Sequence, residues 1–188
     1  DYIQPYTIVE RNGEKIGIIG IVISKKTKMS SNPDDNTMFL DEVSTAQKYA
    51  DELNSKGVDR VILLSHFGYE NDLALAQKTS GIDIIVGGDS HSLLGDLSDL
   101  GLKPSGSYPT MVNDASGNDV CVVTAWEYSQ IVGELHAEFD GQGNITSCMG
   151  TPHMMLADSF KRKNADGERV EIEEGYRDAV YSLSLIHI

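Results

Sequence analysis

Val61-Ile62-Leu63-Leu64-Ser65-His66-Phe67-Gly68 and Ile82-Asp83-Ile84-Ile85-Val86-Gly87-Gly88-Asp89-Ser90-His91 are two apolar runs that each stop abruptly in imidazole, glycine or carboxylate. Short aliphatic runs bounded by turn formers read as strands buried on both faces, the pattern of a parallel sheet. Between them, Asn71 to Lys78 carries Leu73, Ala74 and Ala76 and reads as a short helix. Upstream, Leu40 to Lys56 repeats Val43, Ala46, Ala50 and Leu53 at three- and four-residue steps, begins with Asp41 and Glu42, and stops at Gly57. That is an amphipathic helix with a glycine C-cap.

Outward from this centre, Tyr6-Thr7-Ile8-Val9-Glu10 and Lys15 to Ile21 are strand-like runs joined through Asn12-Gly13, a strong hairpin signal. The second run is apolar on both faces and is expected deep in a sheet. Gly17 and Gly20 lie within it rather than between a strand and a helix, so they imply close packing and not a phosphate loop. Lys25 to Thr37 lacks periodicity and reads as a connecting surface loop. The sequence of strands and helices is that of a layered α/β fold. After Pro104, the runs Tyr108–Val112, Val120–Ala125 and Ile131–Phe139 with their Gly/Asn turns predict an antiparallel meander.

At 188 residues one core is the default, here residues 1–159. Residues 160–182 are charged and read as a linker or helix leading elsewhere. Residues 183–188, Leu-Ser-Leu-Ile-His-Ile, match one reading frame of a common sequencing-library adapter and are expected to be a non-native tail. The chain starts at Asp1 without methionine or a signal-like segment, which fits a piece of a longer protein.

Acidic residues outnumber basic ones 29 to 15, for a net charge of -14, which argues against a nucleic-acid polymer as partner. No run approaches the roughly 20 apolar residues of a membrane span. Cys121 and Cys148 have no zinc-type spacing and read as buried free thiols.

Ligands of open α/β sheets bind beyond the carboxyl ends of the strands, where His66, Asp89 and His91 fall. If Asp89-Ser90-His91 is extended, its first and third side chains project to one side, and Gly87-Gly88 allows a tight turn. A carboxylate and two imidazoles can hold a divalent cation. His136, Met149, Met154, Met155 and Trp126-Glu127-Tyr128 are expected to be structural, as is His153.

Leu64-Ser65-His66-Phe67-Gly68 followed by Asp83-Ile84-Ile85-Val86-Gly87-Gly88-Asp89-Ser90-His91 resembles the bacterial 5′-nucleotidase family of calcineurin-like metallophosphatases. The likeness runs from about Pro5 through Gly150, through Asn12-Gly13, Tyr108-Pro109-Thr110 and Ile131-Val132-Gly133-Glu134 to Phe139-Asp140. It implies a layered α/β sandwich, of which this is the later part of the catalytic domain, without the amino-terminal half and the carboxyl-terminal nucleotide-binding domain. It implies two divalent ions (Mn, Mg, Zn or Ca) that polarise a phosphoryl group and generate a hydroxide nucleophile. By resemblance His66 ligates one metal, Asp89 stands where that metal's second histidine is usual, and His91 ligates the other.

Asp89 departs from the pattern. A hard carboxylate oxygen favours Mg, Mn or Ca over Zn. A rival role is a carboxylate orienting His91. The family's Asp-x-His and Gly-Asn-His blocks have no counterpart, so no catalytic residue is assigned and the chain alone is expected to be inactive. The implied function is hydrolysis of nucleotide phosphate esters, with UDP-sugars or 2′,3′-cyclic nucleotides as variants, in the periplasm or at the cell surface. The alternative is a noncatalytic metal- or phosphate-binding module with a decayed site.

Overall fold

The computed structural model describes residues 4–155, 161–163 and 166–171. Strands β1 (Tyr6–Arg11) and β2 (Glu14–Val22) form the expected hairpin, with Asn12 and Gly13 both at positive φ, as a two-residue turn of this kind requires. Helices α1 (Ser24–Ser31) and α2 (Glu42–Ser55) lead to β3 (Val61–His66); α3 (Tyr69–Ala76) leads to β4 (Ile84–Gly87). β5 (Thr110–Asn113) and β6 (Asp119–Thr124) complete a six-stranded sheet of order β1-β2-β3-β4-β6-β5. Strands β2, β3, β4 and β6 run parallel, and the α/β class is as expected.

The core lies on one face of that sheet. Ile19, Leu63, Ile85 and Val122 are adjacent in register and buried beneath the helices with Ala46, Ala50, Leu53 and Leu75. Asp41 caps α2 by accepting from Ser44 N at 2.8 Å. A Cβ on Gly17 would come within 2.6 Å of Leu53 Cδ1, so that glycine permits the helix to approach the strand, whereas Gly20 faces open space.

Three expectations are corrected. Strand β2 is not buried on both faces, because helices cover only one: Val22 and Leu64, on the other face, are each 48% exposed. The 25–37 stretch begins as a helix, α1, which buries none of its residues. Nor is the later half one meander. β6 has β4 on one edge and β5 on the other, so β7 (Ile131–Phe139) cannot pair with it; β7 pairs instead with β8 (Ile145–Met154), a strand not expected from the sequence.

This second hairpin is tied to the sheet by a disulfide from Cys121 on β6 to Cys148 on β8, with Cα atoms 6.6 Å apart. The cysteines are therefore not free thiols. Pairing across 27 residues depends on how β8 packs over β6, which no local spacing shows. Within the 160–182 stretch, β9 (Lys161–Lys163) and β10 (Arg169–Glu171) pair antiparallel. The rest of that stretch not named above and the 183–188 tail lie outside the described residues.

Candidate functional site

Parallel pairing of Leu63 with Ile85 and Leu64 with Val86 brings the ends of β3 and β4 side by side, and β2 adds Val22 opposite His66. His66 therefore leaves the sheet edge next to the Gly87-Gly88-Asp89 turn, with its side chain 63% exposed. Both glycines have a reason other than the tight turn expected, and neither has positive φ. A Cβ at Gly88 would crowd His66 Nδ1 at 3.2 Å, and one at Gly87 would overlap Asp72 Oδ2. The chain turns instead at Asp89 and His91, with φ of 74° and 50°.

Those left-handed conformations decide where the side chains go. In an extended segment residues two apart face one way; here Asp89 and His91 diverge. Asp89 Oδ1 lies 3.4 Å from His66 Nε2 and accepts from Lys26 Nζ at 2.5 Å. His91 Nδ1 instead meets Glu127 Oε2 at 2.8 Å, and its ring stands edge-on to Tyr128 at 5.3 Å. The carboxylate that orients His91 is thus Glu127, not Asp89. Among the described residues no group of three or more His, Cys, Asp or Glu side chains is arranged to hold a metal.

His66 and Asp89 nevertheless fit one edge of a coordination shell. Two donors each about 2.1 Å from one ion, at a tetrahedral angle, stand about 3.4 Å apart. That is the separation of His66 Nε2 and Asp89 Oδ1. An imidazole nitrogen with a carboxylate oxygen suits a divalent cation of intermediate hardness.

Beneath this pair sits Asp72, in the first turn of α3, where carboxylates favour the positive helix end. It is completely buried, accepts from Ser65 Oγ at 2.5 Å, and its Oδ2 has no hydrogen-bond partner among the described residues. Burial pushes its carboxyl up to about 6; the Ser65 hydrogen bond opposes this and the nearby Asp89 charge adds to it. Ser90 Oγ accepts from Tyr69 N at 3.0 Å, fixing the turn onto the start of α3.

Two residues at the site escape sequence reading. Lys26 arrives on a helix read as loop, and Glu127 comes from a segment singled out for its aromatic rings alone. Its loop holds Trp126, Tyr128 and Ser129 at positive φ, a concentration of strained non-glycine residues of the kind found beside functional groups. Trp126 packs with Ile131 and Met154, whereas Tyr128 is largely exposed. His136 and His153 both engage Glu134 at 2.8 Å on the second hairpin.

No protein-family model matches the chain. A probable 5′-nucleotidase of Treponema pallidum is 44% identical over 180 residues, 94% of this chain and 30% of that protein. The crystal structure of a 5′-nucleotidase precursor from Thermus thermophilus superposes with a TM-score of 0.76 at 43% identity, over 80% of this chain and 30% of that one. The Haemophilus influenzae NAD nucleotidase gives a TM-score of 0.81 at 37% identity, over 95% of this chain and 36% of that one. The chain thus spans about a third of the length of the proteins it matches.

Proposed function

This chain belongs to the 5′-nucleotidase family of calcineurin-like metallophosphatases, and from that premise we propose that the protein carrying it hydrolyses nucleotide phosphate esters with divalent metal ions. The observation that carries the reading is the 3.4 Å approach of His66 Nε2 to Asp89 Oδ1 at adjoining parallel strand ends. Divalent ions held there would supply Lewis acidity toward the phosphoryl group and lower the pKa of bound water.

In this reading His66 and Asp89 hold one ion. The sheet fixes the backbone that bears the imidazole, and Gly88 relieves crowding against His66 Nδ1, which an added Cβ would approach to 3.2 Å. His91, oriented by Glu127, serves the other ion, as metal-bound histidines commonly depend on a carboxylate for their tautomer and direction. Three ligands cannot complete two coordination shells, so further ligands beyond the described residues are needed, and on this reading the chain alone turns over no phosphate ester. The Cys121–Cys148 disulfide supports an oxidising location, the periplasm or cell surface.

The test is phosphate release from a nucleoside 5′-monophosphate by the intact protein. Substitution His66→Ala should lower kcat/KM by at least about 100-fold. Unchanged turnover would remove His66 from the site. The noncatalytic alternative is favoured by one observation, the Lys26 ammonium on Asp89; it predicts Mn²⁺ binding without phosphate release by the intact protein.

A further inference from the structure

The same carboxylate oxygen that would face a metal already faces a cation. Lys26 Nζ lies 2.5 Å from Asp89 Oδ1, the atom that also lies 3.4 Å from His66 Nε2. Asp89 is largely buried, its side chain 12% exposed, so its charge needs a partner, and among the described contacts Lys26 is the only lysine or arginine that reaches it.

The placement of Lys26 follows from the backbone. Ile23 N donates to His66 O at 3.0 Å, so α1 starts against the end of the strand that bears the histidine. Ser24 N donates to Glu42 Oε1 at 2.6 Å, which fixes the first turn to the start of α2. Lys26 is therefore held over the site by the helix start, while the rest of α1 buries no side chain. Its own side chain is 57% exposed. It can return to water without opening the core.

We infer that Lys26 is the resident counter-cation of Asp89, and that a divalent ion enters this site by exchange for the Lys26 ammonium. The inference rests on the reading that His66 and Asp89 hold an ion. In that exchange Asp89 gives up one charge-assisted hydrogen bond and gains a coordinated ion, and Lys26 swings into solvent. With its side chain 57% exposed, Lys26 is screened by solvent and contributes little by itself, so Lys26 tunes affinity and does not abolish it. The coupling is specific to a carboxylate: without the Asp89 charge, Lys26 has no reason to remain over His66.

Titration of the 188-residue chain with Mn²⁺, followed by the electron paramagnetic resonance signal of the free ion, tests this, with circular dichroism melts confirming that each variant folds. Lys26→Gln should bind Mn²⁺ about three- to fivefold more tightly than wild type. Lys26→Arg should stay near wild type. Lys25→Gln, which removes an equal charge from the same helix without touching Asp89, should change affinity less than about twofold. In an Asp89→Asn background Lys26→Gln should have no effect.

Unaltered or weaker binding by Lys26→Gln, with Asp89→Asn still impairing it, overturns the exchange and leaves the metal-site reading standing. Equal tightening by Lys25→Gln overturns it too, because the effect would then be general charge. If neither wild type nor Lys26→Gln binds Mn²⁺ at millimolar concentration, the metal-site reading and the exchange fall together.

Discussion

At the scale of single residues, the strand-end site is governed by space and charge. Gly87 is required because Asp72 Oδ2 fills the position a Cβ would take, whereas a Cβ at Gly88 would only crowd His66 Nδ1 at 3.2 Å. Asp72 carries a measurable consequence. Its carboxyl, ordinarily near 3.8, is pushed up to about 6 by burial. The folded state therefore holds the proton more tightly than the unfolded state. Stability from this group is fully present below about pH 4 and is lost as pH rises through about 6, a fall on the order of 2–3 kcal/mol. Asp72→Asn keeps an acceptor for Ser65 and should remove that fall from urea-unfolding curves measured between about pH 4 and 7. A second fall should remain in the variant. Asp83, whose carboxyl burial pushes up to about 7 against a hydrogen bond from Val61 N, titrates higher. A wild-type and an Asp72→Asn profile of identical shape would contradict the account.

The residue scale also shows what sequence can and cannot give. His66 and Asp89 are legible because an apolar run ending in a polar group marks a strand end, and their neighbourhood follows from parallel pairing. The direction of His91 is not legible, because positive φ at Asp89 and His91 is invisible in residue type, neither being glycine. Lys26 and Glu127 reach the site through tertiary contacts from segments distant in sequence, and nothing local to either points there.

At the scale of elements, the helices and parallel strands were legible because their periodicity is local: α2 and the β1–β2 hairpin fall where the apolar spacing and the Asn-Gly turn put them. The partner of β7 was not legible, because which edge a strand finds depends on the order of the whole sheet. The β7–β8 hairpin depends on the Cys121–Cys148 bond for its attachment to β6. A cross-link closing a loop of 27 residues contributes about 3.5 kcal/mol by its effect on the unfolded chain. Cys148→Ser should lower the unfolding midpoint accordingly, and dithiothreitol should lower that of wild type but leave the variant unchanged. A wild-type chain that melts identically with and without reductant would contradict the pairing's role.

At the scale of the molecule, the sheet buries one face under its helices and leaves Val22, Leu64 and Val86 partly open on the other, with His66 at the border of that apolar surface. The chain spans about a third of its relatives, and its three candidate ligands are fewer than two metals need. The central claim is that the two adjoining strand ends form one wall of a divalent-metal site. Equilibrium titration of the 188-residue chain with Mn²⁺ tests it most directly, comparing wild type with His66→Ala and Asp89→Asn. The account predicts weak wild-type binding that each substitution reduces by at least about tenfold, with the melting transition unchanged. Binding equal to wild type in both variants would contradict it.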